Sequence, residues 1–151
     1  MRLSLSDRDN GRYSSILSSP IVMACPRRAD RRLHRLSDAF DGHELDDVAA
    51  YDGVWACACL LHAPRGELTD DLTRIFRALR PGGLLTASFK AGNSEGRDRF
   101  GRYYNYIDAD QLRAHLAASG AWASLDITEN DGSGYDGEPT RWLWAAARKR
   151  G

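Results

Sequence analysis

The sequence predicts an α/β fold in which a mostly parallel sheet ends in an antiparallel hairpin, and three observations support this. An unbroken apolar run of strand length, residues 54–61, precedes a segment with helical spacing, residues 68–79. A second strand and helix follow. Two β-rich stretches joined by a glycine-rich loop then close the sequence. Strands that alternate with helices build parallel sheets, whereas strands joined by a short loop pair antiparallel.

The first strand and helix have clear boundaries. Val54–Leu61 contains no polar residue, which is typical of a parallel strand buried on both faces. Pro81-Gly82-Gly83 ends the helix, because proline lacks an amide hydrogen and glycine accepts the left-handed conformation. Between them, apolar residues fall on one helical face: Leu68, Leu72, Ile75, Phe76 and Leu79.

The later elements follow the same logic. Leu84–Phe89 reads as a second strand. Asp108 is a good N-cap for a helix over Ala109–Ser119, and Gly120 stands at its end. Trp122–Thr128 and Thr140–Ala147 complete the pattern as a terminal hairpin.

The first 41 residues form an atypical arginine-rich segment, and residues 42–151 form the α/β domain. Residues 1–37 hold eight arginines against three aspartates. Ile16–Ala24 is expected to form a short strand interrupted by Pro20, and Asp30–Ala39 has the spacing of a short basic helix.

Composition excludes several classes of protein. A chain of 151 residues with 42% hydrophobic and 28% charged residues fits one globular domain. Its 21 basic residues balance its 21 acidic ones, so no global field attracts nucleic acid. No run approaches the ~18 apolar residues of a membrane span. Three cysteines are too few for a disulfide framework, which favours a cytoplasmic protein.

Two patterns that resemble ligand sites have simpler explanations. Gly132–Gly137 matches G-x-G-x-x-G, but a strand rather than a helix follows it, so we expect a hairpin loop. Cys57 and Cys59 alternate on the predicted strand and point the same way. A structural metal site takes about four ligands from separate segments, and Cys25 offers no such spacing. We expect small buried cysteines and no metal.

Four segments of the sequence carry motifs of a known family: Tyr51–His62, Arg77–Leu85, Ser88–Lys90 with Gly101–Tyr104, and Arg141–Trp144. They resemble motifs of class I S-adenosylmethionine-dependent methyltransferases. The first, an aromatic residue, Asp, an apolar strand and Leu-His, is typical of the family's fourth strand, and the second resembles the L-x-P-G-G-x-L that precedes its fifth. The third is similar to a small-molecule branch that includes tellurite-resistance-type methyltransferases, and the fourth to the final antiparallel strand.

The resemblance implies a partial Rossmann-like methyltransferase sheet and a set of site residues. His62 would position or deprotonate the methyl acceptor, or else would only cap the strand end. The remaining residues would contact S-adenosylmethionine or rim a small-molecule acceptor pocket, with core packing, a solvated loop or a surface role as the alternatives. The implied cofactor-binding residues are Gly42, His43, Glu44, Ala56, Cys57 and Ala58, and the implied acceptor-binding residues are Lys90, Arg102 and Tyr104.

One expected part of the family pattern is missing. Class I methyltransferases begin with a strand, a glycine-rich turn that approaches the cofactor, and an acidic residue that holds its ribose. Before residue 42 the only glycine is Gly11, and Leu17 stands where the acid is expected. Two functions therefore remain open. One is a methyltransferase acting on a small molecule, and the other is a truncated, non-catalytic remnant or interaction domain.

The missing strands have a physical consequence for Val54–Leu61. Without its central parallel neighbour, this strand would expose a long apolar edge, which invites pairing with a second copy. We therefore expect a homodimer or low solubility unless the N-terminal segment covers that edge. We expect neither nucleic-acid nor membrane partners.

Overall fold

The computed structural model describes residues 21–26, 34–37 and 45–151. Eight strands, two α-helices and one short 3-10 helix make up this part of the chain. In chain order they are β1 (Ile21–Pro26), β2 (His34–Ser37), β3 (Tyr51–Cys57), a 3-10 helix (Leu60–His62), α1 (Leu68–Ala78), β4 (Leu79–Lys90), β5 (Ser94–Arg97), β6 (Tyr103–Tyr106), α2 (Ala109–Ser119), β7 (Trp122–Ser133) and β8 (Pro139–Lys149).

Six strands form one mixed sheet in the order β2-β1-β3-β4-β8-β7. Within it β3 and β4 are parallel, whereas the other four pairs are antiparallel. The prediction of a mostly parallel sheet is therefore wrong, although the α/β class and the C-terminal hairpin are confirmed. The cause lies in β1, which runs antiparallel to β3, and in the long β7–β8 hairpin, which adds two further antiparallel pairings.

The predicted strand Val54–Leu61 differs in both extent and burial. It begins earlier, at Tyr51, and ends at Cys57 because Ala58 takes a positive φ of 50°. Trp55 is 49% exposed while Val54 and Ala56 are buried, so the strand is not buried on both faces. Within the described chain, one face of the sheet packs on the helices and the other remains partly open.

The buried face of the sheet forms the core together with the two helices. Apolar side chains of β3, β4 and β8 alternate inward and meet the apolar faces of α1 and α2. The fully buried large residues include Leu72, Ile75, Leu85, Phe89, Leu112, Leu116 and Leu143. Both helices confirm the sequence prediction in position, but α1 already ends at Ala78, and Pro81-Gly82-Gly83 lies within β4 instead of ending the helix. Asp108 forms a capping box with Gln111.

The N-terminal strands bring two corrections. The segment predicted as a helix over Asp30–Ala39 contains β2 at His34–Ser37. A helix of ten residues is marginal by itself, whereas pairing with β1 satisfies the backbone groups of this segment. The predicted strand Ile16–Ala24 lies partly outside the described residues, and β1 begins at Ile21.

The apolar edge expected at Val54–Leu61 is not exposed. β1 pairs with β3 from Ile21 opposite Cys57 to Pro26 opposite Tyr51. The N-terminal segment therefore covers the edge that was expected to drive homodimer formation. Among the described residues, no helix is long and apolar enough to cross a membrane.

Gly120 follows α2 at a position where a side chain would not fit. Its backbone is extended, with φ 168°, so the left-handed cap expected there is not formed. A Cβ atom at Gly120 would clash with the ring of Phe76 on α1. Glycine at this position therefore lets the end of α2 approach α1.

We expect Gly120→Ala to lower the free energy of unfolding by about 1–3 kcal/mol, because the added methyl group overpacks the contact with Phe76. Chemical denaturation measures this. Gly66→Ala is the matched control, since nothing lies within 4 Å of the corresponding Cβ position. Equal stability of the two variants would show that the ring of Phe76 moves without cost.

Candidate functional site

The parallel pairing of β3 and β4 creates the edge at which the candidate site forms. Trp55 pairs with Thr86 and Ala56 with Ala87, so both strands end at the same side of the sheet. In open α/β sheets, ligands bind outside the carboxyl ends of the parallel strands. The residues that follow Ala56 on β3 and Ala87 on β4 are therefore at the position where a ligand is expected to bind.

Ser88 holds the end of β3. Its Oγ accepts a hydrogen bond from the amide of Ala58 at 2.9 Å and donates to Sγ of Cys57 at 3.6 Å. Ala58 has a positive φ of 50°, which is uncommon for a residue other than glycine. The completely buried Ser88 thus stabilises the turn that redirects the chain from the strand into the 3-10 helix.

The predicted cofactor-binding residues of β3 line this turn. Ala56 is completely buried, whereas Cys57 and Ala58 are half-buried. The expectation that Cys57 and Cys59 alternate on one strand is wrong, because β3 ends at Cys57. Cys59 is buried, and burial raises the pKa of its thiol to about 12. The other predicted cofactor-binding residues, Gly42, His43 and Glu44, lie outside the described residues.

His62 is the last residue of the 3-10 helix, and one of its ring nitrogens forms a hydrogen bond. Its Nδ1 lies 2.7 Å from the carbonyl oxygen of Tyr103. A carbonyl only accepts, so Nδ1 carries the hydrogen and the neutral ring keeps a free lone pair on Nε2. Burial lowers the pKa of His62 and the cations Arg102 and Lys90 lower it further, while the Tyr103 carbonyl raises it. His62 is therefore neutral near pH 7.

Lys90, the last residue of β4, contacts aromatic rings. Its Nζ lies 4.2 Å from the centre of the Tyr104 ring and 5.9 Å from that of Trp142. The His62 ring lies 4.7 Å from the same Tyr104 ring. Burial lowers the pKa of Lys90 and raises that of Tyr104. The structure thus brings together Lys90, Tyr104 and His62, three residues that the sequence placed at the acceptor side.

Arg102 lies near the Tyr104 ring as well, and its guanidinium forms an ion pair with Asp98. Asp98 accepts hydrogen bonds from its Nε at 3.2 Å and from its terminal nitrogen at 2.9 Å. The guanidinium lies 5.5 Å from the Tyr104 ring and 4.5 Å from the Tyr135 ring. Desolvation raises the pKa of Asp98, but its bonds to Arg102 and to the Phe100 amide lower it below its ordinary value.

The β5–β6 hairpin carries Tyr104, and Arg65 anchors it. The Arg65 guanidinium donates to the Asn105 side chain at 3.0 Å, the Tyr106 carbonyl at 2.6 Å and the Ser94 carbonyl at 3.3 Å. The Arg65 amide also donates to the Glu95 carboxylate at 2.6 Å. This one arginine therefore holds both strands of the hairpin against the loop that follows the 3-10 helix.

Sequence reasoning missed three of these residues. Ser88 lies in one of the motifs that resemble the family's, but the resemblance implies no role for it, and none of those motifs includes Arg65. The third is Asp98, which stands four residues before Arg102, a spacing that is a weak signal outside a helix. The pattern Gly132–Gly137 covers the end of β7 and most of the connection to β8, so it belongs to a hairpin as expected, although Gly132 is still a paired strand residue. Among the described residues no cluster is suited to a metal.

Comparison with known proteins shows the fold. No family model matches the chain, and no curated protein does. A solved S-adenosylmethionine-dependent methyltransferase from Methanosarcina mazei is similar with 15% identity and a TM-score of 0.60, over 69% of this chain and 61% of that one. The 1,6-didemethyltoxoflavin-N1-methyltransferase of Burkholderia thailandensis, with bound 1,6-didemethyltoxoflavin and S-adenosylhomocysteine, is similar with 25% identity and a TM-score of 0.55.

The similarity to the Burkholderia thailandensis enzyme covers 73% of this chain and 48% of that one. The Haemonchus contortus phosphoethanolamine N-methyltransferase 2 is also similar, with 14% identity and a TM-score of 0.54 over 70% of this chain and 35% of that one. This chain therefore spans about three fifths of the first relative and half of the second. It has the α/β fold found in S-adenosylmethionine-dependent methyltransferases.

We expect Ser88→Ala to lower the free energy of unfolding by about 1–3 kcal/mol, because the amide of Ala58 loses its acceptor. Chemical denaturation measures the loss. Ser133→Ala, at an exposed position on β7, is the matched control and should be neutral. If both variants are as stable as the parent protein, Ser88 does not hold the end of β3.

Proposed function

We propose that the chain is an S-adenosylmethionine-dependent methyltransferase that acts on a small-molecule acceptor. The observation that carries the proposal is the grouping of His62, Lys90 and Tyr104 at the carboxyl edge of the parallel β3–β4 pair. This edge is the general ligand-binding position in open α/β sheets. The fold shared with solved methyltransferases supports the same assignment.

The end of β3 fits one side of such a cofactor. The side chains of Cys57 and Ala58 are small and half-buried, so a ligand can approach the backbone there closely, whereas Ala56 is completely buried in the core. Ser88 fixes the turn before any ligand arrives. We propose that Cys57 and Ala58 contact the cofactor from β3, that Ala56 contributes core packing instead, and that Gly42, His43 and Glu44 contact its adenine end.

The chain's own residues would act on the acceptor. When bound, the cofactor supplies an electrophilic methyl group, and transfer requires mainly proximity and orientation. The neutral His62 would accept the acceptor's proton at Nε2 as the oxygen, nitrogen or sulfur of the acceptor attacks. Lys90, Arg102 and Tyr104 would orient the acceptor. None of these steps needs a covalent intermediate on the protein.

One observation favours the second candidate, a non-catalytic methyltransferase remnant or interaction domain. β1 contains no glycine and runs antiparallel to β3. Its last residue, Pro26, lies opposite Tyr51, at the far edge from Cys57. A glycine-rich turn after β1 would therefore not lie beside the proposed cofactor contacts.

Titration calorimetry with S-adenosylmethionine and S-adenosylhomocysteine separates the two candidates. The proposal predicts micromolar binding, about −8 kcal/mol. Cys57→Leu should abolish binding because leucine is larger than cysteine at the turn where we propose that the cofactor contacts β3. Cys57→Ser should retain it. If the folded protein binds neither compound, the non-catalytic remnant is the only candidate function left. A cooperative thermal unfolding transition shows that the protein is folded.

We expect His62→Gln to lower kcat by about 10²–10⁴-fold with any acceptor found by screening, because the proton acceptor is lost. In the parent protein the rate should fall as the pH drops through the depressed pKa of His62, below its ordinary value of 6.5. Initial rates against pH measure both effects. A rate that is unchanged in His62→Gln would contradict the proposed role.

A further inference from the structure

The ammonium group of Lys90 has no direct counter-ion among the described residues. The residue is only 8% exposed, yet no hydrogen bond or ion pair of Nζ is formed with any described residue. The two carboxylates that act on it electrostatically are those of Asp136 and Asp98. Both are engaged by arginines, Asp136 by Arg99 at 4.0 Å and Asp98 by Arg102 at 2.9 Å. A buried cation without a counter-ion is costly unless an anion arrives to pair with it.

The aromatic rings around Lys90 do not offer a place for a cationic acceptor. Lys90 itself lies over the Tyr104 ring, and Arg102 lies over Tyr104 and Tyr135. The protein's own cations thus already interact with the ring faces that would hold a ligand ammonium group. A second positive charge there would meet Lys90 and Arg102 at short range and be repelled.

The number of unpaired charges indicates the charge of the ligand. Arg102 is paired with Asp98 through two hydrogen bonds, so it contributes little net charge. Lys90 then leaves one uncompensated positive charge, which matches a monoanion such as a carboxylate. The half-buried rings of Trp142 and Tyr106, which pack against the core, supply apolar surface for the body of such a molecule.

We propose that the acceptor is a small aromatic carboxylate, and that the Nζ of Lys90 pairs with its carboxylate group. This inference rests on the proposed function in so far as the bound molecule is the methyl acceptor. The carboxylate site itself is defined by contacts of Lys90 that do not depend on that function. Lys90 and His62 both adjoin the Tyr104 ring, at 4.2 Å and 4.7 Å. A small molecule bound beside this ring would place its carboxylate at Lys90 and its nucleophilic atom at His62.

The experiment is a titration of the full chain with benzoate, with benzamide as the neutral probe of the same shape and benzylamine as the cationic probe. We expect benzoate to bind, and benzamide and benzylamine to bind at least about tenfold more weakly. Lys90→Met should weaken benzoate binding by about ten- to a hundredfold and leave benzamide unchanged. Lys90→Arg should retain most of the affinity.

Arg141→Gln is the matched control, because it removes an exposed cation from β8 next to Trp142. It should bind benzoate like the parent protein. Failure of benzoate to bind, preference for benzamide or benzylamine, or undiminished binding by folded Lys90→Met would each overturn the inference. Titration with S-adenosylhomocysteine is run separately. Its failure would remove the proposed function without altering the benzoate result.

Discussion

The parallel hydrogen bonding between β3 and β4 is the constraint on which the rest of the candidate site depends. Parallel strands end at the same edge, so Cys57 and Lys90 reach one side of the sheet although 33 residues separate them in the sequence. α1 makes this possible, since the crossover between parallel strands needs a connection of helical length. Without it, the His62 and Lys90 side chains would not share one neighbour in Tyr104.

The chain uses its two lysines differently from its nineteen arginines. Lys149 donates from Nζ to the carbonyls of Phe76 and Leu79, at 2.7 Å each, and so satisfies the C-terminal end of α1. Lys90 has no such partner among the described residues. Several arginines instead form exposed ion pairs, such as Arg74 with Asp46 and Arg141 with Asp131, which contribute little to stability. Both lysines therefore stand where a compact point charge is needed.

Sequence periodicity predicted the elements whose apolar pattern is long and regular. Both helices and the terminal hairpin follow from such patterns, and Asp108 marks the start of α2. The end of β3 could not be predicted in this way. The apolar run continues through Leu61, and only the tertiary contact between Ser88 and the amide of Ala58 shows where the strand stops.

The site was predictable in part. Motif resemblance indicated Lys90, Arg102, Tyr104 and His62 as site residues, but it did not show which of them would touch. The positions of these side chains depend on the β5–β6 hairpin, which is only four residues per strand and has no clear alternation in sequence. Arg65 anchors that hairpin from 40 residues away, a contact that no local pattern reveals. The orientation of β1 likewise depends on pairing rather than on its own sequence.

The most direct measurement of the central claim is the change in backbone amide NMR shifts when S-adenosylhomocysteine is added to ¹⁵N-labelled protein. The account predicts that the amides of Ala58 and Ser88, at the carboxyl edge of β3 and β4, shift with increasing ligand. The amides of Gly53 and Leu84, nearer the opposite edge, should remain unchanged. Shifts confined to the Gly53 edge, or no shifts with folded protein, would contradict a cofactor site at the carboxyl ends of these strands.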